Sequence, residues 1–123
     1  MNLREIVEIV EGTLLFDVAL DIEVKCGGAA DLMSDVLALA EPGSVLLTGL
    51  CNPQVVRTAE MADIAGIVFV RGKQPPPETV ELARKKGIPL VATSFTMYET
   101  CGRLYHAGLP CTDISRRIPW EGC

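Results

Sequence analysis

The feature that most constrains this chain is a rhythm. Short uninterrupted runs of apolar, β-prone residues alternate with segments of helical spacing. Ser44-Val45-Leu46-Leu47-Thr48, Ile67-Val68-Phe69-Val70 and Leu90-Val91-Ala92 are such runs. A strand with one face in water alternates apolar and polar side chains, whereas a continuous run belongs to a strand covered on both faces. The intervening segments carry helix punctuation. Asn52-Pro53 supplies a cap residue with proline at the first helical position, and the helix continues through Val55, Val56, Ala59 and Met61 toward Asp63. Pro77 opens a helix bearing Val80, Leu82 and Ala83, which Gly87 stops and Pro89 keeps from continuing. Thr96-Met97-Tyr98-Glu99 reads as a capping box for a helix ending near Ala107 and Gly108. Parallel strands joined by right-handed helical crossovers give a small doubly wound α/β fold, with a mainly parallel sheet of about four strands and helices on both faces.

The first forty residues are less regular. Leu3, Ile6, Val7 and Val10 predict a short amphipathic helix ended by Gly12. Leu20, Ile22 and Val24 alternate with Asp21 and Glu23, which predicts the fourth strand, near the sheet edge. Cys26-Gly27-Gly28 then reads as a turn, and Asp31 as the cap of a helix carrying Leu32, Val36, Leu39 and Ala40 that Pro42-Gly43 closes. Residues 1–109 thus form one domain. Residues 110–123, with Pro110, Cys111, Arg116, Arg117, Pro119 and Trp120, show no period and read as a C-terminal arm whose tryptophan docks against the body or a partner subunit.

Composition removes several function classes. The chain has 123 residues, 49% of them apolar and only 5% aromatic, with a net charge of −5. Nucleic-acid binding rests on a basic footprint that such a chain lacks. The apolar stretch Ile64 to Val70 is far short of the roughly 20 residues of a membrane helix. Acids near the N-terminus stand where a signal peptide would be basic and then apolar, so a cytoplasmic location is expected. Charge is uneven: 3 basic and 11 acidic residues up to Gly66, then 8 basic and 5 acidic from Ile67 onward. Such opposite edges suit self-association, as does a mean hydropathy of +0.31 in so small a domain. The five cysteines, at 26, 51, 101, 111 and 123, contain no CxxC pair and read mainly as reduced, partly buried thiols.

In an open parallel sheet, ligands bind beyond the C-terminal strand ends. Four segments fall there on this reading: Cys26-Gly27-Gly28, Gly49-Leu50-Cys51-Asn52, Arg71-Gly72-Lys73 and Thr93-Ser94-Phe95-Thr96. They combine glycines, hydroxyls, two cations and helix N-termini, which suits an anion such as a phosphate group. The expected contacts are Gly27, Gly28, Gly49, Cys51, Asn52, Arg71, Gly72, Thr93, Ser94 and Thr96. No dinucleotide fingerprint, P-loop or nucleophile elbow is written, and the single histidine, His106, lies late in the last helix. No nucleophile or base with an orienting partner can be assembled, so no catalytic residue, metal or cofactor is expected.

The order of elements resembles the DRTGG domain over about residues 1–109. Leu3 to Gly12 resembles its opening helix, and Val45 to Gly49 with Asn52-Pro53 the strand that in many members leads into a Gly-Asp-Arg turn. Ile67 to Gly72, then Pro75 and Glu78 to Ala83, resembles the strand ending in Thr-Gly-Gly and its helix. Lys86-Gly87-Ile88-Pro89-Leu90-Val91 and Thr93 to Glu99 resemble the closing strand and threonine-rich helix start. This chain has Cys51-Asn52 in place of the Asp-Arg pair and Val70-Arg71-Gly72 in place of Thr-Gly-Gly, so a contact made by that pair has no counterpart here. The resemblance implies a self-associating α/β domain of the kind found beside other modules in bacterial phosphotransacetylases, CBS-domain pyrophosphatases and HPr kinases, in a regulatory or structural role. The reading is therefore a non-catalytic regulatory or ligand-sensing domain, homodimeric, taking a nucleotide or other phosphate-bearing metabolite. Two alternatives stand beside it: an accessory to an iron–sulfur or hydrogenase-type redox system using Cys26 and Cys51, working with a partner enzyme, and a plain protein–protein adaptor.

Overall fold

The computed structural model describes residues 1–112, apart from the Leu39 side chain; the later part of the expected arm, Trp120 included, lies outside the described residues. The chain runs α1 (Leu3–Ile9), β1 (Thr13–Leu14), β2 (Cys26–Ala29), α2 (Met33–Leu39), β3 (Ser44–Thr48), α3 (Pro53–Met61), β4 (Gly66–Phe69), α4 (Pro77–Lys86), β5 (Leu90–Ala92) and α5 (Met97–His106). The sheet has five strands in the order β1-β5-β4-β3-β2. β2, β3, β4 and β5 are parallel neighbours, and β1 closes the far edge antiparallel to β5.

The continuous apolar runs fold as their sequence predicts, because each strand is buried on both faces. Leu46, Ile67, Phe69 and Leu90 point to one side, where Val36, Val55, Val56, Ala59 and Ala83 of α2, α3 and α4 cover them. Val45, Leu47, Val68 and Val91 point to the other, under Leu3 and Ile6 of α1, the following Val10, and Leu104 of α5. This period-two division yields three layers with a core on each side of the sheet.

The N-terminal third departs from expectation, and the fifth strand comes from there. Leu20 to Val24 is not a strand of the sheet. Its alternation is real, with Val24 buried in the α1–α5 core and Leu20 and Ile22 packed beside it. Its backbone, however, serves α1: Leu3 N–H donates to Ile22 O at 2.9 Å and Arg4 N–H to Leu20 O at 3.0 Å. Those are among the N–H groups that a helix start leaves without intrahelical partners. The edge strand is instead Cys26–Ala29, paired in register with Ser44 to Leu47. Gly27 and Gly28, expected in a turn, lie inside it.

Gly12 is not a left-handed helix stop. α1 ends at Ile9, and the positive φ of 50° falls on Glu11. Gly12 is required by close approach, since a Cβ there would stand 2.5 Å from Val91 Cγ1 and 3.1 Å from the carbonyl oxygen of Ala92. The first residues of the expected arm pair with β2: Gly27 N–H donates to Pro110 O at 2.9 Å, and Thr112 N–H to Gly27 O at 3.1 Å. The chain thus continues along the outer edge of the sheet past residue 109.

Candidate functional site

Parallel pairing places the C-terminal ends of β2 to β5 side by side, and the segments that follow them converge on Gly49. The convergence begins with Asp31, two residues beyond β2. Its Oδ1 accepts hydrogen bonds from the Thr48 hydroxyl at 2.9 Å and from Gly49 N–H at 2.8 Å. Asp31 therefore does not cap α2, whose N-cap is Leu32 with no side-chain hydrogen bond. Thr48 itself is fully buried, and its oxygen also accepts Leu50 N–H at 3.1 Å, which ties the turn down a second time.

Arg71 arrives from the far side of Gly49. A Cβ on Gly49 would lie 2.6 Å from Arg71 Nη2, so the glycine is what allows the guanidinium to rest there. Arg71 and Gly72 are both left-handed, at φ 60° and 68°. For arginine that conformation costs about 1–2 kcal/mol. It is held by Arg71 N–H to Phe95 O at 2.7 Å and Gly72 N–H to Thr93 O at 2.9 Å, which joins the turn after β4 to the segment after β5. Among the described residues, neither Arg71 nor Lys73 has a carboxylate oxygen within 4.0 Å.

The electrostatics follow from this arrangement. The Asp31 carboxyl is held below the usual range, first by the Gly49 N–H and then by the Thr48 hydroxyl; burial opposes them, and the Arg71 and Lys73 charges add smaller lowering effects. Burial pushes the Cys51 thiol up, and the nearby Lys73 and Arg71 charges only partly offset it. Cys51 is therefore a protonated thiol near two cations, with its Sγ–H directed at Gly49 O at 3.6 Å. Its carbonyl accepts the Thr79 hydroxyl of α4 at 2.8 Å.

The expected site residues divide into groups. Gly49, Cys51, Asn52 and Arg71 gather at the mouth, with Asp31 and Lys73 as members that the expected contacts omitted. Asn52 is exposed, and its amide makes no capping bond to α3, which starts on Pro53. Gly72, Thr93 and Ser94 line an adjoining cavity of about 320 Å³ together with Glu11 and Gln74. Thr93 and Thr96 are occupied by the fold. Thr93 Oγ1 donates to Val10 O at 2.7 Å and accepts Phe95 N–H at 3.2 Å, while Thr96 Oγ1 caps α5 by accepting Glu99 N–H at 3.2 Å. Only half of the expected capping box forms at this end, because the Glu99 carboxylate turns to Arg103 Nε at 3.0 Å.

Gly27 and Gly28 are not at the mouth. They lie along β2, each beside an apolar cavity at the sheet edge, and the residues that β2 does bring to the mouth are Ala30 and Asp31. Cys26 and Cys51 are not brought together either: Cys26 pairs with Ser44 at the start of β3, and Cys51 follows its end. The strand alone separates them by roughly 13 Å. Among the described residues, no group of three or more His, Cys, Asp or Glu is placed to hold a metal ion. No helix there is long and apolar enough to cross a membrane.

The fold and mouth are those of an open α/β domain with its polar groups collected at the strand C-terminal ends. The profile of the DRTGG domain matches residues 5–107, and the chain belongs to that family. In structure it is similar to the CBS and DRTGG domains of the regulatory region of Clostridium perfringens pyrophosphatase, solved in complex with the activator diadenosine tetraphosphate. The TM-score is 0.65 at 13% identity, over 88% of this chain and 47% of that one. That likeness establishes the shared fold, and this chain spans about half the length of that regulatory region. No curated protein matches the sequence.

Proposed function

We propose that this chain is a non-catalytic regulatory domain that senses a phosphate-bearing metabolite at the mouth formed by Asp31, Gly49, Asn52, Arg71 and Lys73. The observation that carries this reading is the Arg71 guanidinium, held over a glycine by a left-handed turn, beside Lys73 and with no carboxylate in ion-pair reach among the described residues. A positive charge placed at some conformational cost and left without a short-range partner is an arrangement for a ligand anion. The regulatory role is supported by family membership and by the regulatory region that the fold resembles. In this reading the domain works in the cytoplasm as a homodimer and reports ligand binding to a partner enzyme. Exposed apolar side chains offer the surface for association: Tyr98 and Tyr105 stand one above the other on α5, and Leu32, Leu37 and Met61 are exposed on and beside α2 and α3.

Thermal denaturation against pyrophosphate, ADP, ATP and sugar phosphates tests the ligand. A ligand present at 100 times its Kd stabilises by about 2.7 kcal/mol, a shift of several degrees for a domain of this size. No shift with any of them at millimolar concentration sinks the ligand-sensing reading. Sedimentation as a monomer removes the homodimer.

A further inference from the structure

Resting on that reading of the mouth, we infer that its ligand is a phosphate ester carrying a free hydroxyl, and that Asp31 Oδ2 accepts a hydrogen bond from that hydroxyl while Arg71 and Lys73 take the phosphate. The two oxygens of Asp31 do different things. Oδ1 is committed to the fold by Thr48 and Gly49. Oδ2 receives no hydrogen bond among the described residues, and Asp31 is an exposed side chain at the edge of the mouth. Gly49 anchors the carboxylate that carries it: its N–H holds Oδ1, and the Arg71 guanidinium lies against its Cα. Acceptor and cation are thus neighbours across a single glycine.

This juxtaposition discriminates between anions. Two cations and one carboxylate leave a single formal positive charge, a weak attraction for bare pyrophosphate, whose oxygens would also meet the carboxylate. An ionised carboxylate offers only acceptors. A ligand satisfies the whole mouth when it presents a hydroxyl donor to Asp31 and phosphate oxygens to Arg71 and Lys73. Ribonucleotides and free sugar phosphates share that chemistry.

The test is titration calorimetry on the full chain with pyrophosphate, ADP, 2′,3′-dideoxy-ADP and ribose 5-phosphate, for the unaltered protein and for Asp31→Asn. The Asn variant keeps the Oδ1 acceptor for Thr48 and Gly49 and replaces Oδ2 with an NH₂ donor. A hydrogen bond to a charged acceptor is worth about tenfold or more in affinity, so ADP should bind at least about tenfold tighter than dideoxy-ADP. In Asp31→Asn that ratio should fall to within about twofold, and pyrophosphate should bind more tightly because a negative charge has gone. Ribose 5-phosphate binding as well as ADP supports the inference with a sugar phosphate as the source; ADP binding far more tightly supports it with a nucleotide. Equal affinities for ADP and dideoxy-ADP in the unaltered protein overturn the inference while phosphate docking stands, and that comparison needs no variant to fold. A ratio that survives Asp31→Asn overturns the role of Asp31. Failure of all four probes to bind overturns the phosphate reading itself.

Discussion

Thr93 separates a residue that serves the fold from one that serves a ligand, and the expected cost of altering it can be worked out from its bonds. Its side chain is 3% exposed, donates to Val10 O at 2.7 Å and accepts from Phe95 N–H at 3.2 Å. The first bond ties the end of α1 to the end of β5, and the second shapes the segment that receives Arg71 N–H. Thr93→Val keeps the shape and removes the hydroxyl. Two hydrogen bonds at about 1 kcal/mol each are lost, and leaving the Val10 carbonyl without a partner adds about 1 kcal/mol or more, for an expected loss of roughly 2–4 kcal/mol. Thr93→Ser keeps the hydroxyl and removes one buried methyl, at about 1 kcal/mol. In urea, with m of about 2 kcal/mol/M, the valine variant should unfold at a midpoint lower by roughly 1–2 M, with the serine variant between it and the unaltered protein. Pyrophosphate affinity should stay within about twofold in the serine variant. A valine variant as stable as the serine one would refute the assignment of this hydroxyl to the fold.

Three further perturbations probe the same end of the sheet. Gly12→Ala drives a Cβ to 2.5 Å from Val91 Cγ1 and 3.1 Å from the Ala92 carbonyl, so chemical denaturation should show a loss of about 1–3 kcal/mol from overpacking against a core strand. Gly49→Ala meets only the tip of Arg71, at 2.6 Å; unfolding should change by less than about 1 kcal/mol, while calorimetry shows weaker ADP binding because the guanidinium is displaced. Asp31 has a lowered folded-state pKa, so its contribution to stability is full above the unfolded value of about 3.9 and is lost as pH falls through the folded value. The stability difference between the unaltered protein and Asp31→Asn, followed by urea unfolding from pH 7 to pH 3, should therefore be largest near neutrality and shrink below about pH 4; a difference independent of pH would contradict the Gly49 and Thr48 bonds as its source.

How legible each part of the fold was in the sequence depends on where burial acts. β3, β4 and β5 are covered on both faces, so every residue is under the same pressure and the runs Val45 to Leu47, Ile67 to Phe69 and Leu90 to Ala92 announce themselves. β2 is an edge strand with two glycines, and what makes it a strand is its register with Ser44 to Leu47, a relation between distant segments that no local pattern writes. β1 is two residues long and exists only because Thr13 and Leu14 meet Ala92 and Val91. Leu20 to Val24 misled for the opposite reason: one-sided burial imprinted a strand-like alternation on a segment whose carbonyls are spent on the N-terminus of α1.

That single displacement of a strand explains most of what the sequence concealed about the site. The rule that ligands gather beyond parallel strand ends points, for β3 and β4, to Gly49, Asn52 and Arg71, and these residues do follow those strands as expected. Applied to a strand placed at 20–24, the same rule selected Gly27 and Gly28. Applied to Cys26–Ala29, it selects Ala30 and Asp31, and the acid that read as a helix cap becomes the partner of Thr48 and Gly49. After β5 two of the three expected hydroxyls are already bonded to the backbone. Hydroxyls beside a helix start are the groups most able to satisfy loose backbone N–H and C=O, so Thr93 and Thr96 are bonded where they stand, and of these three hydroxyls Ser94 alone makes no hydrogen bond among the described residues. Polar residues at strand ends therefore divide by reach: those that can bond the nearest backbone hold the loop, while the long cations Arg71 and Lys73 have no carboxylate oxygen within 4.0 Å among the described residues.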